Sequence, residues 1–245
     1  MKYSFLIPYY DRGVQFENTL HSYKKLYGHR SDWEVVVVED VKCARDKNMH
    51  HDLVTKILAS GVNVSLVQAI SETPNPCSRF NQAAEEANGW IFILTNPECY
   101  HVTDVLAVFD EEFNYKKRPY VIAACESVQN FKRNGKGINY KHHMWYHHSE
   151  LRHTGYHFCT AITKKDFVRV GGFDEDYAHG IAYDDNDFRD VVFASGMEII
   201  YRDDALVLHQ KHARHHGALP NYRVLLKRNE KLYSRKRAER KGAEC

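Results

Sequence analysis

Five apolar runs dominate the first half of the chain: "YSFLIP" (3–8), "WEVVVVED" (33–40), "VNVSLVQ" (62–68), "WIFILT" (90–95) and "YVIAAC" (120–125). They are continuous or β-branched rather than alternating, which is the pattern of strands covered on both faces. Helical patterns near 14–27, 46–59, 77–88 and 103–115 separate them. Strand–helix alternation of this kind requires a parallel α/β sheet. Ligands of such sheets bind beyond the C-terminal ends of the strands, so the residues after each run carry the functional information.

Those ends read "PYYDR" (8–12), "EDVK" (39–42), "SETPNPCSR" (71–79) and "NPECYH" (96–101). Carboxylates, hydroxyls and arginines accumulate there. No G-x-G-x-x-G follows the first strand and no G-x-x-x-x-G-K-[ST] occurs, which excludes a dinucleotide fingerprint and a P-loop. At 245 residues, 43% of them hydrophobic, the chain can enclose one sizeable core, and a single domain is expected. No apolar run approaches the roughly 20 residues of a membrane span, and the N-terminus lacks a cleavable signal pattern. The six cysteines form no C-x-x-C pair and sit mostly in apolar stretches, as reduced core thiols of a cytoplasmic protein would.

Charge is concentrated at the end. Residues 225–245 carry eight Lys/Arg against three Glu, a net of +5 in a chain whose total is +2. A terminal helix with a solvated basic face accounts for this; contact with a polyanion such as DNA is the sharper alternative. Residues 131–157 are rich in Gly, Asn, Tyr and His, with six histidines in "HHMWYHHSELRHTGYH". The tract lacks the interleaved cysteines of a structural zinc site, and an irregular active-site loop or surface is expected. Toward the C-terminal end, "YDDNDF" places Asp184, Asp185 and Asp187 in the first turn of a helix. Helix capping explains one of the three carboxylates.

The series "FLIPYYDR", "EVVVVED", "NPCSRFNQAAEEANGWIFILTNPE", "VGGFDEDYAHGIAYDDNDF" and "LVLHQKH" resembles the family 2-like nucleotide-sugar glycosyltransferases with the GT-A fold, as far as about His212. The resemblance implies one GT-A (Rossmann-like) domain over 1–218, with a nucleotide-sugar half (1–130) and an acceptor half (131–218), followed by a basic helical extension (219–245). It implies that Pro8, Tyr10 and Asp11 line the base and ribose, that Asp40 accepts from the base, and that Arg79 faces the nucleotide. A uracil offers an N–H that a carboxylate can accept and a face on which an aromatic ring can stack.

In that family the fourth strand ends in an Asp-x-Asp-like pair that holds a divalent cation on the donor diphosphate. Here "TNPE" stands in its place, leaving Glu98 as the carboxylate and Asn96 as a donor to phosphate or ribose oxygens. His209 matches a later metal-ligand histidine of related enzymes, with His101 or His212 as substitutes. An imidazole-bearing site suits Mn²⁺ better than Mg²⁺. "YDDND" matches the family's acidic motif, with Asp185 as general base and Asp184 toward the acceptor, and Trp145, Tyr146 and His157 as ring-stacking residues of the acceptor wall. The implied activity is inverting transfer from a UDP-sugar to a hydroxyl of a glycan, a protein or a hydroxylated DNA base. A binding module without turnover and a nucleotidyltransferase are the alternatives; the former has no use for a base, and the latter wants a glycine- and lysine-rich loop after the first strand.

Overall fold

The computed structural model describes residues 1–40, 47–69, 75–135, 137–213 and 219–243. The expectations for Cys43 and Cys245 and the domain boundary at 218 lie outside them. The alternating part of the chain folds as β1 (Tyr3–Tyr9), α1 (Gly13–Tyr27), β2 (Trp33–Asp40), α2 (Lys47–Ser60), β3 (Val64–Ala69), α3 (Cys77–Glu86), β4 (Ile91–Leu94), β5 (Cys99–His101) and α4 (Val105–Tyr115). The second half adds β6 (Pro119–Asn134), β7 (Gly137–His147), β8 (Thr160–Thr163), α5 (Lys164–Arg169), a 3₁₀ turn (Glu175–His179), α6 (Asp184–Ala194), β9 (Glu198–Gln210) and α7 (Tyr222–Ala243).

The nine strands form one sheet in the order β3-β2-β1-β4-β8-β6-β9-β5, with β7 paired to β6. The β1–β2, β2–β3, β1–β4 and β6–β9 pairings are parallel; β8, β5 and β7 join antiparallel to their neighbours. The continuous apolar runs have the cause that their composition indicates. On one face Phe5, Ile7, Val35, Val37, Ile91 and Ile93 meet Phe16, Leu20 and Tyr23 of α1. On the other, Leu6, Val36, Val38, Phe92 and Leu94 meet Phe80 and Ala83 of α3 and Phe188 of α6. Each fully buried side chain of this size contributes about 1.5–3 kcal/mol, so two aliphatic-aromatic layers hold the strand ends in fixed positions. Cys77, Cys99, Cys125 and Cys159 are free and buried, consistent with core thiols. Among the described residues no helix is long and apolar enough to cross a membrane.

The histidine-rich stretch corrects one expectation. Residues 137–147 are a strand rather than an irregular loop, the second arm of a hairpin whose first arm is the outer part of β6. The first ten residues of β6 are buried, and then burial alternates residue by residue, because the strand leaves the core and only one face stays covered. The hairpin is bulged at three places, where the β6–β7 register shifts. Its tip rests on a small cluster of its own: Val128, Phe131, Ile138 and Tyr140 against Tyr100 and Leu208.

The basic stretch near the end of the chain lies in α7, and many of its cations are engaged. Lys236 binds Asp174 and Asp176, Arg240 donates to Asp187 (2.5 Å), and the Tyr233 hydroxyl donates to Asp190 (2.7 Å). The acidic segment 174–190 and the basic helix are thus complementary surfaces within one chain.

Candidate active site

The fourth strand ends at Leu94, and "TNPE" turns the chain into β5. Cys99 pairs antiparallel with His209 of β9, and Gln210 clamps the turn by donating its backbone N–H and its Nε2 to the Glu98 carbonyl, both at 3.1 Å. This register brings the Glu98 carboxylate to the end of β9. Glu98 Oε1 lies 3.3 Å from His209 Nε2 and 3.2 Å from His212 Nε2. One ligand atom from each of the three residues falls within 4.8 Å of the others. Burial alone would push the Glu98 carboxyl up, but hydrogen bonds and charge from His209 and His212 outweigh it and hold it well below the usual carboxylate range. One carboxylate and two imidazoles converging in a buried site fit a divalent cation.

Of the two substitutes for His209, His212 stands at the cluster and His101 does not. His101 is a core residue that shares a 2.6 Å hydrogen bond with the Tyr27 hydroxyl and packs edge-on against Tyr23 and Phe5. Nor does Glu98 cap the next helix; Asp104 does, accepting from Ala107 N at 3.0 Å.

A pocket opens beside the cluster between the ends of β1 and β4 and the start of α3. Pro8, Tyr10, Arg12, Arg79, Asn96, Glu98 and His157 line it. The sequence-level set Pro8, Tyr10, Arg79, Asn96 and Glu98 is therefore brought together. Asp11, at φ 44, stands in the chain between the lining residues Tyr10 and Arg12 and does not itself line the pocket. Asp40 stands behind Arg79: the guanidinium donates to Asp40 Oδ2 (2.5 Å) and to the Asn75 carbonyl (2.7 Å), and both charged side chains are buried. Arg12, which sequence reasoning passed over, approaches Glu98 to 3.9 Å. Its position directly after "PYYD" was the available signal.

Across the pocket, α6 begins at the acid pair. Asp184 is 4% exposed. Its Oδ1 accepts from Asn75 Nδ2 at 3.2 Å, and its Oδ2 lies 3.8 Å from His157 Nε2. Burial, and secondly the charge of Asp185, push the Asp184 carboxyl up to about 8. Asp185 is less buried, and its Oδ1 accepts from the Asn186 N–H at 2.8 Å. The third aspartate of the cluster, Asp187, is committed to Arg240. His157 is thus the link between the acid pair and the pocket. Tyr146 stacks on Phe158 and meets His209 edge-on, whereas Trp145 packs against His148 away from the pocket.

These buried groups set a pH dependence of stability. Burial pushes the imidazoles of His101 and His147 down to about 3 and lowers that of His157. The unfolded chain takes up protons on these groups below about pH 6.5, so their contribution is present above that value and is lost as pH falls. Asp184 acts with the opposite sign: its folded pKa is raised, so its contribution weakens as pH rises from about 4 to 8. Three imidazoles outweigh one carboxyl on the acid side. The unfolding midpoint should therefore fall on acidification from pH 7 to 5 and also decline from pH 7 to 9, where the thiols of Cys77, Cys125 and Cys159, pushed up by burial, add to the effect of Asp184; Asp184→Asn should reduce the alkaline decline without abolishing it. Melting curves across this range check both limbs.

No family model and no curated protein matches the sequence. Solved structures do match. S. aureus TarS 1–349 in complex with UDP-GlcNAc superposes with a TM-score of 0.66 at 17% identity over 89% of this chain and 61% of that one. The mannosyltransferase PcManGT from Pyrobaculum calidifontis, in complex with GDP-Man and Mn²⁺, gives 0.61 at 15% identity over 88% and 59%. The chain has the GT-A glycosyltransferase fold. It spans about three fifths of the length of these proteins. The GT-A fold places the open pocket where a parallel sheet of this kind binds ligands, at the C-terminal ends of β1 and β4.

Proposed function

We propose that the chain is an inverting glycosyltransferase that moves a sugar from a nucleotide sugar, UDP-linked in the first instance, to an acceptor hydroxyl. The observation that carries this reading is the conjunction of the Glu98–His209–His212 cluster with the pocket of Tyr10, Arg79 and Asn96, in a fold shared with proteins solved with UDP-GlcNAc and with GDP-Man and Mn²⁺. Residues 1–130 supply the donor half and 131–218 most of the acceptor half.

In this reading Tyr10, Pro8 and Asp11 hold the base and ribose, with Asp40 oriented by Arg79. Glu98, His209 and His212 hold a divalent cation, which supplies charge to the donor diphosphate when bound. Arg12 adds a fixed positive charge on the same side, and Asn96 donates to the donor's oxygens. Asp185 removes the acceptor hydroxyl's proton as the acceptor oxygen attacks the anomeric carbon and the bond from that carbon to the diphosphate oxygen breaks, so that the nucleoside diphosphate leaves on the opposite side. Two considerations bear on the choice within the pair. A carboxyl raised to about 8 is the stronger base, but Asp184 is closed in by Asn75 and His157, and a base must first reach the proton. Access assigns the base to Asp185, and Asp184 contacts the acceptor or positions it through His157.

A cavity of about 310 Å³ on the far side of His209 and His212, walled by Ser127, Gln129, His143, Met144, Tyr146 and Lys211, extends the site toward the hairpin. It gives an acceptor room beyond the donor. We read the acceptor as a glycan rather than DNA, because Lys236 and Arg240 of the basic helix are bound to aspartates of the chain itself. Acceptor binding measured from low to moderate salt tests this: a glycan gives a flat response, whereas duplex DNA gives a slope of roughly 0.9 log unit per phosphate contacted. A binding module without turnover is set aside on the retained acid pair, and absence of any sugar release from every nucleotide sugar that binds would restore it.

A further inference from the structure

The segment that delivers the acid pair is strained. The 3₁₀ turn stops at His179, and Gly180, Ile181, Ala182 and Tyr183 lead directly into Asp184. Ala182 (φ 61) and Tyr183 (φ 69) both adopt left-handed backbone, which is unfavourable for residues that carry a Cβ. Tyr183 occupies the cap position of α6 with no side-chain cap among the described residues. Such a conformation persists where its surroundings over-determine it.

Helix α7 does so. Asn229 is fully buried. Its Nδ2 donates to the Tyr177 carbonyl at 3.0 Å and to the Ala182 carbonyl at 2.9 Å, while its Oδ1 accepts from Arg228 Nη1 at 2.8 Å. One carboxamide therefore bridges the two ends of the segment. Between them Ile181 N donates to the Leu225 carbonyl at 3.4 Å. A Cβ on Gly180 would stand 2.1 Å from Asn229 Oδ1, although the Gly180 φ of −144 is open to any residue. Glycine at 180 and asparagine at 229 are thus matched by packing, which gives the "AHGIAY" approach to the acid pair a physical reason.

We propose that Asn229 is a positioning residue for the transfer reaction. By tying the Tyr177 and Ala182 carbonyls together it fixes the path of residues 180–183, and with it the placement of Asp184 and Asp185, so that α7 is part of the catalytic apparatus. The inference rests on the reading of Asp185 as the base. Among the described residues the donor pocket takes its lining from β1, α3, the β4–β5 turn and His157, and none from α7. Loss of Asn229 should then appear in turnover and not in nucleotide affinity.

The test uses the full chain with Mn²⁺, titrated with UDP to count intact donor sites, and UDP release from the nucleotide sugar that a panel of UDP-glucose, UDP-galactose, UDP-GlcNAc and GDP-mannose selects (GDP replacing UDP if the last is selected). Asn229→Ala and the isosteric Asn229→Asp should bind the nucleotide at full stoichiometry with unchanged affinity while turnover falls roughly 10²-fold, the scale of a misplaced catalytic group. Gly180→Ala should be equally damaging. The double variant Gly180→Ala/Asn229→Ala, which restores the space but not the hydrogen bonds, should stay at the level of Asn229→Ala. Wild-type turnover in Asn229→Ala overturns the proposal, as does full recovery in the double variant or a loss of nucleotide sites that matches the loss of turnover. Should Asn229→Ala fail to fold, Arg228→Met, which removes the bond to Oδ1, must still lower turnover with nucleotide binding intact; wild-type turnover there rejects the proposal. Asp185→Asn separates the two readings: if it is inactive while Asn229→Ala is wild-type, the positioning inference alone fails, and if Asp185→Asn turns over normally, the assignment of the base fails.

Discussion

Asp185→Asn should leave donor binding nearly intact and lower sugar transfer by about 10²-fold or more, the usual scale for losing a general base. The substitution keeps the shape of the side chain and its acceptor oxygen toward the Asn186 N–H, so α6 should start where it does now. Asp184→Asn should act differently. Its Oδ1 keeps an oxygen for Asn75, and a carboxyl raised to about 8 is already protonated at neutral pH, so the amide mimics the resident state. Its effect should fall mainly on acceptor KM. Steady-state kinetics of the two variants distinguish the roles. An inactive Asp184→Asn beside a near wild-type Asp185→Asn would exchange the assignments and give greater weight to basicity than to access.

The second large effect is expected at the carboxylate–imidazole cluster. Loss of a partner outside the ligand set already lowers metal affinity by roughly 10–100-fold in metalloproteins, and removal of a ligand itself should exceed that. Glu98→Ala and His209→Ala are each expected to weaken nucleotide-sugar binding in Mn²⁺ and to erase the difference between Mn²⁺ and chelator. Glu98→Ala also leaves His209 and His212 without the carboxylate that both now face. Full activity in excess EDTA would remove the metal from the account and leave Arg12 and Asn96 to meet the diphosphate.

The strand ends were legible because burial on two faces writes itself into a strand as an unbroken apolar run: Phe5, Leu6 and Ile7, or Val35 to Val38, alternate between the two cores and are apolar at every position. The end of such a run marks the ligand-binding edge of the sheet without further information, and Pro8, Tyr10, Arg79, Asn96 and Glu98 emerge from that rule and the family resemblance. The hairpin was not legible. Its second arm has polar residues on both faces and is broken by bulges, so Ile138, Tyr140, Met144 and Tyr146 lose their alternation among His142, His143 and His147. Residues whose function is set by distant partners were also invisible. Asn75 meets Asp184 across 109 positions and Asn229 meets Ala182 across 47; nothing local distinguishes either from a surface asparagine. The excess of acid in "YDDND" was visible as unexplained, and its explanation, Arg240 on Asp187, lies in a segment that the family resemblance does not reach.

The central claim is that this pocket and this cluster together hold a metal-bound nucleotide sugar, and thermal shift tests it most directly. The full chain is melted with UDP-GlcNAc, other uridine nucleotide sugars and GDP-Man, each with Mn²⁺ and with EDTA. At a ligand concentration about 100 times Kd, binding to the native state adds about 2.7 kcal/mol, which for a domain of this size raises the midpoint by roughly 5–10 °C. The account predicts a shift of that order for at least one nucleotide sugar in Mn²⁺, reduced in EDTA and abolished by Glu98→Ala. A midpoint that no nucleotide sugar moves under either condition, or one that moves equally in wild type and Glu98→Ala, contradicts it.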